Sequence, residues 1–177
     1  MNIKTALPLV ALMGATRMHH FGDTILLPDA SLAVFFLAGL FFNSRAFFIA
    51  LLIEAGLLDY VAISQFNVSD FCVSPAYAFL IPTYFAMWFA GRLSTNLKAT
   101  SSMMMLFIAT SSAYLISNSS FYLLSDNVVQ RDFSSYAAQL THYYSSYVSY
   151  CVMYVVLSFA AVKLFKWLND FTARKTA

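Results

Sequence analysis

Charged side chains are scarce in this chain, and their scarcity is the first constraint on its class. Only 10% of the 177 residues are Asp, Glu, Lys or Arg, whereas 60% are hydrophobic. Soluble domains carry about 25% charged residues, so the composition indicates a membrane protein. The net charge is +2, and the basic residues form no cluster with the spacing that would bind a nucleic-acid groove. We therefore expect no nucleic-acid partner.

The sequence also lacks the short motifs of nucleotide and hydrolytic chemistry. It contains no GxxxxGK[ST] loop, no GxGxxG turn and no GxSxG elbow, so we expect no ATP site and no hydrolase of that type. No two histidines lie four residues apart within an apolar run, as they would in one kind of intramembrane haem or zinc site. Uphill transport would therefore draw its energy from a partner or a gradient.

Six apolar runs separated by polar residues predict six transmembrane helices in a single domain, residues 1–177. Several are shorter than the roughly 20 residues of a perpendicular span. Short helices are tolerated where they pack in protein or line a cavity. The predicted fold class is thus an all-α membrane bundle of six helices. The runs are at about 5–16, 30–42, 46–64, 75–90, 100–116 (or as far as 124) and 142–168.

The N-terminal stretch MNIKTALPLVALMGATR has a second interpretation. A lysine, an apolar stretch and the small residues MGA also resemble a cleavable signal peptide. We expect a retained first helix; cleavage would leave five spans.

The basic residues predict the orientation of the bundle. With a cytoplasmic N-terminus, eight Lys and Arg residues fall on the inner face and only Arg17 and Arg131 on the outer face. Cytoplasmic faces carry the excess of basic residues, so both termini are expected in the cytoplasm. The outer connectors are then about 17–29, 65–74 and 118–141. All three histidines and six of the eight acidic residues lie on or near that side, so we expect a site that opens outward.

Cysteine occurs only twice. Cys151 lies in the last apolar run and is expected to be a small buried hydrophobe. Cys72 lies in the second outer connector, where an unpaired thiol is a liability. A disulfide between the two is not expected, because one lies in a loop and the other inside a helix. Cys72 is open to a reactive or metal-ligating role, or to neither.

Two other polar features are ambiguous on residue type alone. Asp59, just inside the outer end of the third run, is a functional candidate because burying a carboxylate is costly, but it could also reach the interface. The adjacent His19 and His20 could bind a metal or be plain polar loop residues.

A tyrosine stripe runs along the last apolar run. Tyr143, Tyr147, Tyr150 and Tyr154 recur at a spacing that places them on one helical face. The stripe suits a bulky ligand, and core packing is the other reading. In the first run, Ala11 and Ala15 are small residues spaced by four, which indicates close helix packing or a docking face for a partner helix.

The constellation of His20 in the first outer connector, Asp59 at the end of the third span, and Cys72 and Tyr77 around the next connector resembles the BtuM family. These are small bacterial inner-membrane proteins of vitamin B12 uptake, related to the substrate-binding S-components of energy-coupling-factor (ECF) transporters. The resemblance covers essentially the whole chain. It rests on the spacing of these four residues.

The resemblance implies an S-component-like bundle in the inner membrane, with cobalamin bound at the periplasmic side. Cys72 would ligate the cobalt, and His20, Asp59 and Tyr77 would surround it. The family is also associated with removing the cyano ligand from cyanocobalamin. Tyr143 and Tyr147 complete the predicted ligand-binding set.

The resemblance also bears on partners. The Ala11/Ala15 face is similar to the alanine motif by which S-components dock on an ECF coupling module. Members of the family are often solitary, so the partner is either that module or none.

Two alternatives belong to other functional classes. A divalent-metal permease or sensor would use His19, His20 and Cys72 as ligands and would not need a tyrosine-lined cavity. A purely structural membrane subunit would need none of these residues for binding.

Overall fold

A computed structural model describes residues 3–17, 27–66, 74–125, 128 and 132–176. Within these ranges the chain is helical and contains no strand, which confirms the predicted all-α class. Each predicted apolar run overlaps one α-helix. Two short 3-10 turns, Pro75–Phe79 and Ser94–Asn96, flank the fourth helix. The helices are α1 Ile3–Arg17, α2 Ser31–Phe42, α3 Arg45–Phe66, α4 Leu80–Leu93, α5 Ala99–Leu124 and α6 Phe133–Thr176.

Within the described residues, three helices are long and apolar enough to cross a membrane: Arg45–Gln65 in α3, Ala99–Leu124 in α5 and Phe133–Asn169 in α6. The chain is therefore a membrane protein. The apolar helix α2 has 12 residues and is about 18 Å long at 1.5 Å per residue. That is short of the roughly 30 Å hydrocarbon core of a bilayer, and α1 and α4 are also short.

The outer faces of the bundle are apolar. On α3, Ile53 is 58% exposed, and Leu57 and Tyr60 are also exposed. Soluble monomers rarely expose such contiguous apolar surface. These side chains suit contact with lipid.

The core is built around α2, whose residues 33–39 are all buried. Phe35 stacks on Tyr84 of α4 at 4.3 Å between ring centroids and meets the edge of Phe48 of α3 at 5.6 Å. Because helices surround α2, its sequence is apolar on all sides, as expected of a fully buried helix.

Two glycines let α2 and α4 approach at backbone contact. A Cβ on Gly39 would lie 1.9 Å from the carbonyl oxygen of Trp88, and a Cβ on Gly91 would lie 2.0 Å from that of Phe36. Neither position has room for a side chain. The crossing fixes the register of the two helices and hence the position of the residues at the start of α4.

Two residues, Asn43 and Ser44, form the tight link between α2 and α3. Asn43 adopts the left-handed conformation (φ 46°, ψ 31°) and its N–H bonds to the carbonyl oxygen of Ala38 at 3.3 Å. Asparagine tolerates this conformation and is a common helix-ending residue. Ser44 then accepts a hydrogen bond from the N–H of Phe47 at 3.3 Å, as an N-cap of α3.

The predicted third connector, 118–141, is wrong, because α5 continues to Leu124 and α6 begins at Phe133. The polar side chains that interrupt the apolar pattern bond within the helices. Asn118 donates to the carbonyl oxygen of Tyr114 and Thr141 to that of Ala137. Such local bonds satisfy polar groups without ending a helix.

The start of α6 is defined by a capping aspartate. The Asp132 carboxylate accepts the N–H of Ser135 at 3.0 Å and the hydroxyl groups of Ser134 and Ser135. These hydrogen bonds lower the pKa of Asp132 below its usual range. A negative charge at the N-terminal end of a helix also interacts favourably with the helix dipole.

Candidate functional site

The described residues enclose a cavity of about 400 Å³ where the ends of several helices meet. Its wall comes from the end of α1, the start of α2, the last third of α3, the 3-10 turn before α4, the start of α4, and parts of α5 and α6. The lining residues are Arg17, Asp29, Leu32, Asp59, Ala76, Tyr77, Leu80, Thr83, Tyr84, Ser117, Asn118, Phe121, Tyr147, Tyr150 and Cys151.

A buried ion pair forms one wall of this cavity. The Nε of Arg17 donates to Oδ1 of Asp59 at 2.7 Å, and Nη2 donates to Oδ2 at 2.6 Å. Only 5% of Arg17 and 4% of Asp59 is exposed. The two-point geometry is the strong form of the arginine–carboxylate interaction.

Both N–H groups of Nη1 are also occupied. Nη1 donates to Oγ of Ser31 at 2.9 Å and to the hydroxyl of Tyr84 at 2.7 Å, and it lies 3.6 Å from Oδ2 of Asp29. The guanidinium carbon also lies 5.7 Å from the centroid of the Tyr84 ring. One arginine thus joins the end of α1 to α2, α3 and α4.

Local sequence brings these partners together. The Thr16 hydroxyl accepts the N–H of Ala30 at 3.1 Å, which fixes the start of α2 beside the end of α1. The Asp29 carboxylate accepts both the N–H and the hydroxyl of Ser31. Since Ser31 donates its own proton to Asp29, its oxygen is left to accept from Arg17.

Tyr77 extends the ion pair to the next element. Its hydroxyl donates to Oδ2 of Asp59. Tyr77 lies in the 3-10 turn Pro75–Phe79, where its N–H bonds to the carbonyl oxygen of Ser74 at 2.8 Å. Two of the four residues predicted to form the site, Asp59 and Tyr77, therefore meet at the cavity wall.

The hydrogen-bond directions determine what this wall offers a ligand. A carboxylate only accepts, so Asp59 takes two N–H groups of Arg17 and the hydroxyl proton of Tyr77. With its proton donated to Asp59, the Tyr77 oxygen can act only as an acceptor. The arrangement offers acceptors to a ligand, and Asp59 itself is already engaged on both oxygens.

The predicted tyrosine stripe divides along its length. Tyr147 and Tyr150 line the cavity, and Tyr147 packs edge-on to Tyr114 of α5 at 4.8 Å. Tyr154 is buried and donates its hydroxyl to the carbonyl oxygen of Pro28 at 2.7 Å. Tyr143, a predicted ligand residue, is 59% exposed and is not among the residues that line the cavity.

Cys151 is buried, as the sequence predicts, and it lines the cavity. The Thr110 hydroxyl lies 3.5 Å from its sulfur. Thr110 is itself buried.

The remaining predicted ligands, His20 and Cys72, lie outside the described residues, as does His19. Within the ranges that are described, no three His, Cys, Asp or Glu side chains cluster as metal ligands do. The cobalt ligation and the divalent-metal alternative both depend on these undescribed residues and stay predictions.

Sequence reasoning missed Arg17 as a site residue. The distribution of basic residues predicts that Arg17 lies in the first outer connector. In the structure, Arg17 is the last residue of α1 and is buried against Asp59. The available signal was Asp59 itself, because an ionisable residue in a span is paired as a rule. On the same helix, Ala11 and Ala15 are exposed.

No protein-family model matches this chain, and no curated protein matches its sequence.

Proposed function

We propose that this protein binds cobalamin at the outer end of its bundle and mediates its uptake across the bacterial inner membrane, with the thiolate of Cys72 ligating cobalt. The observation that carries the proposal is the meeting of Asp59 and Tyr77 at a cavity wall. These residues are 18 positions apart and belong to different elements. They belong to the same four-residue constellation as Cys72 and His20.

Chain connectivity supports a place for Cys72 beside the same cavity. Cys72 precedes the cavity-lining Ala76 by four residues, and four residues of extended chain span at most about 14 Å. His20 follows the cavity-lining Arg17 by three residues. Asp59 and Tyr77 thus line the cavity, and Cys72 and His20 are close in sequence to residues that line it.

The cavity suits part of a large ligand. Its volume of about 400 Å³ falls within the roughly 300–1,000 Å³ of small-molecule pockets. A corrinoid is larger, so the outer connectors would cover the remainder. Asn118, Tyr147 and Tyr150, which also line the cavity, offer a polar and aromatic surface to the amide-bearing rim of the corrin.

The chemistry of a cobalt–thiolate bond is coherent with this site. Thiolate is the metal-binding form of cysteine, and a metal promotes loss of the thiol proton. An electron-rich sulfur on one face of cobalt weakens the bond to cyanide on the other face. Reductive loss of cyanide then takes its electron from a cellular donor, and the cyanide ion leaves as the cobalt is reduced.

Six spans with cytoplasmic termini complete the proposal. Several of the cavity-lining residues lie in helix ends or turns near the predicted outer connectors: Arg17, Asp29, Leu32, Asp59, Ala76 and Tyr77. With that orientation the cavity opens to the periplasm. The short helices α1, α2 and α4 are compatible with spanning because they pack against other helices of the bundle.

The visible spectrum of purified protein mixed with cyanocobalamin tests this function. The wild type should show a cobalt spectrum that differs from free cyanocobalamin, and Cys72→Ala should not. Cys151→Ala is the matched control and should keep the wild-type spectrum. A wild-type spectrum identical to that of free cyanocobalamin contradicts the cobalt-ligand proposal. Stabilisation by divalent metal without any response to cobalamin would favour the metal alternative.

Uptake by bacteria that lack their own importer tests transport and partner together. Import with and without an ECF coupling module separates a module-dependent protein from a solitary one. If the module docks on α1, leucine at Ala11 and Ala15 should abolish the module-dependent part of uptake. The same substitution at Ala50, exposed on α3, should not.

A further inference from the structure

We infer that residues 156–169 of α6 form a binding site for the headgroups of anionic phospholipids, with Lys163 and Lys166 as its charged contacts. The segment lies outside the cavity, and the inference does not depend on cobalamin. It depends only on the chain being a membrane protein. With the orientation proposed above, the site lies in the cytoplasmic leaflet.

The length of α6 carries it to the membrane surface. The helix has 44 residues, so it is about 66 Å long at 1.5 Å per residue. A bilayer is about 40–45 Å thick with its headgroups. At the common tilt of about 20°, α6 is still longer than that. Part of α6 therefore lies among the headgroups or beyond them.

Packing of α6 against the bundle ends after Val155. Cys151, Tyr154 and Val155 are buried, whereas none of residues 156–169 is buried. These 14 residues make about four helical turns, and every face of them is accessible. The described part of the bundle leaves this segment to the surrounding medium.

Ring contacts show at which end of the bundle this segment leaves it. Phe159 of α6 meets Phe41 of α2 at 5.7 Å between ring centroids. The next residue, Phe42, meets Phe47 at the start of α3 at 4.9 Å. Phe159 therefore lies near the polar link 43–45 between α2 and α3. A polar link between apolar helices is expected at a membrane surface.

The two lysines lie just beyond this level. Lys163 and Lys166 are four and seven residues after Phe159, so they lie about 6 and 10 Å further along the helix. Both side chains are exposed. Residues three apart share a helical face, so their two ammonium groups can approach one headgroup region together.

The rest of the segment is too apolar for water. Leu164 is 56% and Leu168 45% exposed, and at four positions apart they share a helical face away from the two lysines. Exposed apolar surface is unfavourable in water, and a lysine is costly in hydrocarbon. A helix with both kinds of face suits the boundary between headgroups and acyl chains.

Trp167 indicates the same depth. Its side chain is 60% exposed, and its ring stacks on Phe171 at 5.7 Å between centroids. Tryptophan is enriched at the membrane–water interface, because its ring is apolar and its N–H needs a polar partner.

Charge selects an anionic lipid as the occupant. Residues 159–177 contain four basic residues and one acidic residue. Two copies of this segment side by side would repel each other. A zwitterionic headgroup carries its own ammonium group and has no net charge to offer the lysines. An anionic headgroup has a net negative charge, and basic segments next to a membrane span are attracted to such lipids.

The experiment measures which lipid lies beside Trp167 in full-length protein reconstituted in nanodiscs. The discs contain equal parts of phosphatidylcholine and phosphatidylglycerol, and one of the two lipids carries bromine atoms near the headgroup end of its acyl chains. Bromine quenches tryptophan fluorescence at short range. The chain has two tryptophans, and Trp88 is only 3% exposed, so the quenching reports mainly on Trp167.

Three variants accompany the wild type. Lys163→Gln/Lys166→Gln removes the proposed contacts. Arg45→Gln/Lys98→Gln is the matched control, because it removes two exposed charges from other elements. Trp167→Phe shows how much of the signal comes from Trp167. All these side chains are exposed, so the variants should keep the wild-type unfolding temperature.

The expected result is enrichment of the anionic lipid beside the wild-type segment. The local ratio of phosphatidylglycerol to phosphatidylcholine should exceed the bulk ratio roughly three- to tenfold, since each basic residue near an anionic surface contributes a factor of about five. Lys163→Gln/Lys166→Gln should lower the ratio to near the bulk value. The control should keep the enrichment, and salt should reduce it. Trp167→Phe should lose the difference between the two lipids.

Equal quenching of the wild type by the two brominated lipids would overturn the inference. So would an equal loss of enrichment in both double variants, because a general surface charge predicts that result. Quenching by neither lipid, rising as the protein is diluted into more lipid, would show a second copy on this segment and would also overturn it. No cobalamin is present, so these outcomes are independent of the proposed function.

Discussion

Arg17 and Asp59 are joined by two parallel hydrogen bonds of 2.7 and 2.6 Å, 42 residues apart in the chain and almost fully buried. The pair connects the end of α1 to the last third of α3. It places a fixed carboxylate at the cavity wall, where Tyr77 donates to it.

Because the two charges pair, substitutions at Arg17 and Asp59 should have strongly non-additive effects on the free energy of unfolding of the ligand-free protein. Arg17→Gln or Asp59→Asn alone leaves one buried charge uncompensated and should cost about 3–5 kcal/mol. The double variant removes both charges and should cost less than the sum of the two. Thermal unfolding in detergent measures this, and additive losses would show that the side chains do not interact as described.

The close α2–α4 crossing predicts that alanine at Gly39 destabilises the protein, whereas alanine at Gly14 in α1 does not. Gly39→Ala places a Cβ 1.9 Å from a backbone oxygen, and the helices must separate. Overpacking typically costs about 1–3 kcal/mol and sometimes more. Gly14 has no atom within 4 Å of an added Cβ, so Gly14→Ala should be neutral or gain up to about 1 kcal/mol from helix propensity. Equal unfolding temperatures for the two variants would contradict the close approach.

The two cysteines should differ in reactivity. Cys151 is 2% exposed, so a maleimide should label it slowly in folded protein. We expect Cys72 to react in the ligand-free Cys151→Ala protein and to be protected by cyanocobalamin. Mass spectrometry of the labelled chains gives the extent. Labelling of Cys72 that is indifferent to cobalamin would argue against a sulfur–cobalt bond.

Asp132 predicts a small pH dependence of stability. Hydrogen bonds from Ser134 and Ser135 lower its pKa in the folded state from an ordinary value of 3.8. The carboxylate therefore stabilises the fold above that ordinary value, and the contribution is lost as pH falls through the lowered pKa. Asp132→Ala should unfold at a lower temperature than the wild type at pH 7, and the gap should close in acid. A gap that is constant with pH would show that the ionised carboxylate contributes nothing.

Hydropathy predicted the helices well because burial in a bundle and contact with lipid both require apolar side chains. It failed at the α5–α6 connection, where hydroxyl and amide side chains bond to the preceding turn and the helices continue. The amino-acid composition of this stretch resembles that of a loop, and the local hydrogen bonds are not visible in the sequence.

The site was predictable only in part. The constellation predicts Asp59 and Tyr77 as site residues, and the structure brings them into contact. The sequence predicts Arg17 in the first outer connector, because position in a chain does not reveal which side of a helix end faces inward. Tyr143 shares a helical face with Tyr147, but α5 packs closely on Tyr147, and Tyr143 remains exposed.

X-ray absorption at the cobalt edge tests the central claim most directly. The spectrum of wild-type protein carrying cobalamin, compared with Cys72→Ala carrying the same ligand, reports the atoms bonded to cobalt. A sulfur neighbour in the wild type that is absent from Cys72→Ala is the predicted result. Only nitrogen, oxygen and carbon neighbours in the wild type would contradict it.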